Sequence, residues 1–122
     1  MQNLVTAETA LKLKNAGFPQ PVPEFLQVWY SDEPPYRERI VLSNNKEAME
    51  VVCLAGERIT YRYLDQLYAF APTATDILRE LGSDYALSFL HGRFWCERRQ
   101  FGIVYDHENP AEAAASAWLA KE

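Results

Sequence analysis

Apolar residues in the middle of the chain follow a pattern that is typical of β-strands. Between positions 58 and 64 apolar and polar residues alternate, as they do in a strand that buries one face. A mostly apolar stretch, 49–54, precedes it, and Ala55-Gly56-Glu57 separates the two as a turn signal. The pattern therefore predicts a hairpin of residues 49–54 and 58–64. In its second strand one face is shared by Ile59, Tyr61 and Tyr63.

Capping residues predict three helices. Each predicted helix follows a residue whose side chain can accept a hydrogen bond from the first helical turn. These predicted caps are Thr6, Thr73 and Asn109, and a glycine that can adopt a left-handed conformation follows the first two helices, at Gly17 and Gly82. The three signals lie far apart in the chain, so they predict separate helices near its start, in its second half and at its end.

The remaining apolar segments predict strands joined by short connections. These strands cover residues 25–30, 37–42, 85–91 and 94–101. Connections this short suit antiparallel pairs, because parallel pairs need long crossovers. We therefore expect an α+β fold in a single domain of residues 1–122, with an antiparallel sheet of about four to five strands and about three helices packed mainly on one face.

Composition and charge narrow the classes of function. Hydrophobic residues make up 48% of the 122 residues, a globular composition that argues against disorder. The formal net charge of −5 makes nucleic acid an unfavoured partner. The N-terminus lacks a basic start leading into an apolar run, and no apolar run is long enough to span a bilayer. We expect a cytoplasmic protein that has no signal peptide and does not enter a membrane.

The residues that could carry chemistry are scattered. Cys53, Cys96, His91 and His107 lack the paired spacing of a structural metal site, and no glycine-rich phosphate loop occurs. We therefore expect no bound metal and no cofactor. Asp106, Glu108 and Asn109 are interpreted as polar turn residues that favour the start of the last helix, and acid–base chemistry by Asp106-His107-Glu108 is the alternative. Pairing Cys96 with a histidine as nucleophile and base remains an alternative, although a cysteine in a strand is more often a small core residue.

Residues 93–99 combine aromatic and basic side chains. In a strand, Phe94, Cys96 and Arg98 face one way, while the opposite face carries Arg93, Trp95, Glu97 and Arg99. That composition suits an exposed contact surface. It also suits a structural role, with Trp95 covering a sheet edge and the charges in water. The candidate binding residues are Trp95, Arg93, Arg99, Tyr61, Tyr63 and His91.

Short segments along the chain resemble small uncharacterised proteins encoded by phages and prophages, especially in Bacteroidota. The residues that carry the resemblance are the segment 9–18, the helix start 71–73 with Leu78-Arg79-Glu80-Leu81, the hairpin around Phe94-Trp95, and the closing segment 109–113. Similar sequences often have Trp-Leu-Arg-Glu in the middle helix, where this chain has Leu-Arg-Glu-Leu. The resemblance implies a mobile-element origin and no activity or catalytic residue.

These observations favour a non-enzymatic protein-interaction module. Its partner would be an unidentified protein, and a homo-oligomer such as a homodimer is also expected, because aromatic-rich small domains often bury a patch through a two-fold contact. One alternative is a small enzyme or ligand-binding protein with a site near His91, Trp95 and Cys96. Another is a single-stranded nucleic-acid binder that uses Trp95 and the nearby arginines.

Overall fold

A computed structural model of the chain describes residues 4–99 and 102–121. It confirms the α+β class, with a five-stranded and a three-stranded antiparallel sheet. Its helices are α1 (Ala7–Asn15), α2 (Tyr61–Leu67), α3 (Ala74–Leu81) and α4 (Pro110–Lys121), with a short 3₁₀ turn at Leu54–Gly56. Its strands are β1 (Val28–Ser31), β2 (Glu38–Asn45), β3 (Glu50–Cys53), β4 (Arg58–Thr60), β5 (Tyr68–Phe70), β6 (Tyr85–Leu90), β7 (Arg93–Arg98) and β8 (Ile103–His107).

The chain forms two compact units, residues 10–71 and residues 4–9 with 72–121. The first holds β1 to β5 and α2, and the second holds α3, β6 to β8 and α4. Each unit has its own sheet. The expectation of a single domain over residues 1–122 stays a prediction.

In the unit of residues 10–71, four consecutive strands form a meander and the fifth returns to the first. The order is β4-β3-β2-β1-β5, with Trp29 of β1 directly opposite Phe70 of β5. Their rings lie 5.6 Å apart in a tilted arrangement that is favourable for aromatic pairs. The core beneath the sheet is made by the fully or nearly fully buried residues Trp29, Val41, Val51, Cys53, Ile59, Leu64, Tyr68 and Phe70.

The predicted hairpin is correct in its first pairs and wrong after residue 60. β3 and β4 pair antiparallel, with Val51 opposite Ile59. Residues 61–67, however, form helix α2 instead of continuing the strand, because the Thr60 hydroxyl accepts a hydrogen bond of 3.2 Å from the Tyr63 amide and caps the helix. Leu64 is fully buried in α2, and Tyr61 packs on the same core cluster. These two residues are three positions apart, a spacing that places them on the same face of a helix.

The second unit contains the two helices with the strongest cap signals. α3 begins at Thr73 with a complete capping box, since the Thr73 hydroxyl accepts from the Asp76 amide at 3.2 Å and the Asp76 carboxylate accepts from the Thr73 amide at 3.0 Å. α4 begins at Pro110, and the side chain of the preceding residue, Asn109, caps it by accepting a 2.9 Å hydrogen bond from the Ala111 amide. Both helices are confirmed within one or two residues of their predicted starts.

The three-stranded sheet has the order β6-β7-β8. Strands at 85–90 and 93–98 confirm two predictions, while residues 100 and 101 of the predicted strand 94–101 lie outside the described residues. The interpretation of Asp106 as a turn residue is wrong, because Asp106 and His107 belong to β8. They end β8, where Trp95 pairs with Asp106 and Phe94 with His107. Their polar side chains are tolerated because both are exposed at the edge of the sheet.

A buried carboxylate on α4, that of Glu112, connects this helix to residues 4–9 through hydrogen bonds. Glu112 is only 8% exposed, and its Oε1 accepts hydrogen bonds from the Thr6 amide at 3.3 Å and the Thr9 hydroxyl at 2.9 Å. The Asn109 amide group adds a 2.7 Å hydrogen bond to the Leu4 carbonyl. The predicted cap Thr6 thus has a second role, since its hydroxyl accepts from the Thr9 amide while its own amide binds Glu112.

Removing the capping hydroxyl of α3 should destabilise the protein. We expect Thr73→Ala to lower the free energy of unfolding by about 1 kcal/mol, the usual effect of losing such a cap. Chemical denaturation followed by circular dichroism would measure it. Thr75→Ala is the matched control, because Thr75 is exposed within α3 and caps nothing. Equal stability of the two variants would contradict the prediction.

Candidate functional site

Among the described residues of the second unit, the most exposed large apolar side chains lie at the tip of the β6–β7 hairpin. The connection has two residues, His91 and Gly92, with φ angles of +53° and +75°. Two successive positive φ angles are typical of the tight turn whose twist matches that of paired strands, and glycine adopts such an angle without strain. The turn brings Leu90 opposite Arg93 and leaves His91 exposed at the end of the hairpin.

This tip is apolar as well as exposed. Phe89 is 62% exposed and Leu90 57%. Two contacts connect the tip to β7: the Phe89 and Phe94 ring centroids lie 4.8 Å apart, and the Trp95 indole donates a 2.9 Å hydrogen bond to the Leu90 carbonyl. Exposed apolar side chains that lie next to one another can form part of a contact surface.

The two faces of the three-stranded sheet have different environments. Cys96 is fully buried and lies opposite Leu87 and Tyr105, on the face against which α4 packs. Trp95, the preceding residue, points to the other face and is half-buried, with Ser88 and Asp106 as its neighbours across the sheet. Adjacent residues of a strand cannot contribute to one pocket on one face.

The candidate residues for enzymatic chemistry are therefore not brought together. Cys96 is buried, Trp95 lies on the opposite face of the sheet, and His91 is in the exposed turn. Burial raises the pKa of the Cys96 thiol to about 11, which opposes formation of the reactive thiolate. This placement gives no support to a site built from these three residues.

The positive charges around Trp95 are partly compensated. The Arg93 guanidinium lies 2.5 Å from the Asp106 carboxylate and 3.9 Å from that of Glu108. Arg99 follows the end of β7, where its amide donates to the Asp84 carbonyl and its side chain is exposed. Carboxylates on the same surface lower the positive potential that a nucleic-acid site needs, so this alternative receives little support.

β6 is an edge strand, and its edge lacks the usual protection. Natural edge strands commonly carry a lysine, a proline or a bulge that prevents pairing with another chain. The β6 sequence Tyr-Ala-Leu-Ser-Phe-Leu contains none of these residues and no charge, and its register with β7 is regular over all six residues. Ser88, Phe89 and Leu90 are exposed in succession, so the outer edge is accessible at that end.

Tyr61 and Tyr63 belong to the other compact unit, where both lie on α2. Tyr61 is half-buried against the core cluster, whereas Tyr63 is 49% exposed. The Tyr63 ring lies 5.8 Å from that of Tyr68, which is nearly fully buried. Burial raises the pKa of the Tyr68 hydroxyl, and nearby Arg39 acts in the opposite direction.

A cavity of about 360 Å³ opens beside Tyr63. We call it the arginine–tyrosine pocket, and its lining residues are Arg37, Arg39, Glu57, Arg58, Ile59, Thr60, Tyr63 and Tyr68. Arg39 lies over the Tyr68 ring, 5.9 Å from its centroid, and its Nε is 2.6 Å from the Glu57 carboxylate. A second cavity of about 290 Å³ adjoins it and shares Arg37, Tyr63 and Tyr68.

Sequence reasoning missed both the hairpin tip and most of the pocket. The uncharged run 85–90 was a usable signal for an exposed edge, but its apolar residues are equally typical of a buried strand. The arginines of the pocket come from β4, from β2 and from the segment before β2. Such convergence leaves no local signature in the sequence.

Comparison with known proteins finds nothing similar: no family model, no curated protein and no solved structure matches the chain.

Within residues 4–99 and 102–121, no group of three or more histidine, cysteine or acidic side chains is placed to hold a metal ion. Over the same residues, every helix is too short or too polar to cross a membrane.

The burial of Cys96 gives a prediction for thiol reactivity. With a pKa of about 11, only about one thousandth of this thiol is ionised at pH 8, and it is shielded as well. We expect alkylation of Cys96 by iodoacetamide at pH 8 to be at least a hundredfold slower in the folded protein than in urea. Peptide mapping by mass spectrometry would follow the reaction. Equal rates in the two states would contradict the buried position.

Proposed function

We propose that this chain is a non-enzymatic protein-interaction module that binds an extended segment of a partner protein along the free edge of β6. The observation that carries the proposal is the unprotected apolar edge, with Phe89 and Leu90 more than half exposed. An edge strand presents unpaired amide and carbonyl groups that a partner strand can match, as in binding by strand addition.

The side chains around that edge would select the partner's sequence. Phe89 faces the same side of the sheet as Phe94, whereas Leu90 lies on the side of Trp95. A strand added next to β6 would place alternate residues beside these two apolar surfaces. The expected partner segment is therefore extended, uncharged and apolar at alternate positions.

A second copy of the chain is one source of such a segment. Two β6 strands can pair antiparallel around a two-fold axis, because each offers the same edge to the other. The chain by itself would then form a homodimer with a continuous six-stranded sheet. A partner protein with a matching strand would compete for the same edge.

The proposal extends to the location and origin of the protein. A cytoplasmic location and a phage or prophage origin agree with the composition and with the sequence resemblance described above. A host or phage protein is accordingly the partner class that we propose. The alternatives, a site near His91, Trp95 and Cys96 and nucleic-acid binding through Trp95, require arrangements that the geometry around β7 does not favour.

Peptide selection would test strand addition directly. Selection from a library of short displayed random peptides should enrich sequences with apolar residues at alternate positions. Binding should be lost in the double variant Ser88→Lys/Phe89→Lys, because two lysines on the edge oppose strand pairing. Both residues are exposed, so the variant should fold. If the enriched peptides bound the double variant as tightly as they bind the original protein, the proposal would be refuted.

The matched control places a lysine on the opposite edge strand. Val104 is 40% exposed on β8, and Val104→Lys should leave peptide binding unchanged. If both variants lost binding equally, a nonspecific effect of added charge would explain the result and edge recognition would be refuted.

The oligomeric state gives a further prediction. Sedimentation equilibrium should show a dimer of the original protein that dissociates on dilution, and a monomer for Ser88→Lys/Phe89→Lys. Val104→Lys should remain dimeric. A dimer that persists in the double variant would show that self-association uses another surface.

A further inference from the structure

The arginine–tyrosine pocket concentrates positive charge in an acidic protein. The chain has 12 lysines and arginines and a net charge of −5, yet three arginines line this cavity. Its one acidic lining residue, Glu57, is paired with Arg39 at 2.6 Å. The pocket therefore keeps a net positive charge of about two, and this charge favours an anionic ligand.

Two of the three guanidinium groups are available to a ligand. Arg37 is exposed and has no carboxylate of the described residues within 4 Å. Arg58 lies 3.7 Å from Glu50, and its side chain is 70% exposed, so this ion pair is weak. Guanidinium groups bind carboxylates and phosphates through two parallel hydrogen bonds, which makes arginine the usual residue for such anions.

The tyrosines add a surface for a flat ring. Tyr63 stands 49% exposed at the rim, and the buried Tyr68 ring lies behind it with Arg39 on its face. This stacked arrangement holds Arg39 and Tyr68 in place and leaves the Tyr63 ring open to contact. Aromatic rings stack favourably on such a surface in an offset or tilted geometry.

The adjoining cavity sets the direction of the ligand. It shares Arg37, Tyr63 and Tyr68 with the first cavity but adds the acidic residues Asp32 and Glu33. The groove thus has Arg39 and Arg58 at one end and Asp32 and Glu33 at the other, and Arg37 lies with the two tyrosines where the cavities meet. A volume of about 360 Å³ for the positive part lies within the usual range of small-molecule sites.

We propose that this groove binds a small aromatic ligand with an anionic group, carboxylate or phosphate, at one end of its ring. The anion contacts Arg37 and Arg58, the ring packs on Tyr63, and any substituent at the far end is neutral or cationic because Asp32 and Glu33 repel a second anion. This site is separate from the proposed function of the β6 edge.

Titrations followed by ¹H–¹⁵N NMR with three probes would test the combination of ring and charge. Phenyl phosphate should bind at least tenfold more tightly than inorganic phosphate or phenol, with chemical-shift changes at residues 37, 58 and 63. Benzoate should bind at the same residues, which distinguishes carboxylate from phosphate as the source of the anion by their relative affinities. Equal binding of inorganic phosphate and phenyl phosphate would overturn the proposal.

The order of charges is tested with substituted rings. Phosphotyramine, which adds an ammonium group opposite the phosphate, should bind more tightly than phenyl phosphate. 4-Carboxyphenyl phosphate, which adds a second anion, should bind more weakly. The reverse order would refute the proposed direction of the ligand and with it the role of the acidic end.

Single substitutions identify the contacting residues. Arg37→Gln and Arg58→Gln should each weaken phenyl phosphate about tenfold, the usual loss for one charge-assisted hydrogen bond. Both side chains are exposed, so folding should be retained. Arg79→Gln is the control, because Arg79 is an exposed arginine on α3 and should have no effect. Unchanged affinity in the two pocket variants would overturn the proposal, whether or not the β6 edge binds peptides.

Discussion

The packing of the alanine-rich helix α4 on β7 and β8 is the constraint on which the three-stranded sheet depends. Five of its alanines are almost completely inaccessible, and side chains this small let the helix approach the sheet closely. Cys96 is fully buried on that face. Because β7 is the central strand and α4 covers this face, the Cys96 thiol is shielded, whereas the hairpin tip and the adjacent end of the β6 edge are exposed.

The two compact units offer different kinds of recognition. The β6 edge is apolar and uncharged, so pairing there would depend on backbone hydrogen bonds and burial of Phe89 and Leu90. The groove beside α2 depends on charge and aromatic stacking, with arginines at one end and Asp32 and Glu33 at the other. A ligand suited to one surface is poorly suited to the other, because an anion gains nothing at an uncharged edge. The two proposals therefore concern different classes of ligand.

Sequence reasoning succeeded where the signal was local and failed where two periods competed. Thr73 and Asn109 cap their helices as predicted, since a cap depends only on the few residues that follow it. Residues 61–64 satisfied a strand pattern and a helical one equally well. The burial of Leu64 and the Thr60 cap decided for the helix. β8 was missed because Asp106 is typical of turns, and only the pairing of Asp106 and His107 with β7 shows that they are strand residues.

The sequence by itself determined the α+β class, three of the helices and the acidic net charge, because each follows from composition or from neighbouring residues. Tertiary structure decided which strand lies at an edge, since that depends on pairing partners distant in the chain. It also decided which arginines meet. Twenty residues separate Arg37 from Arg58 in the sequence. Both line the cavity beside Tyr63 because β2, β3 and β4 pair with one another in the folded sheet.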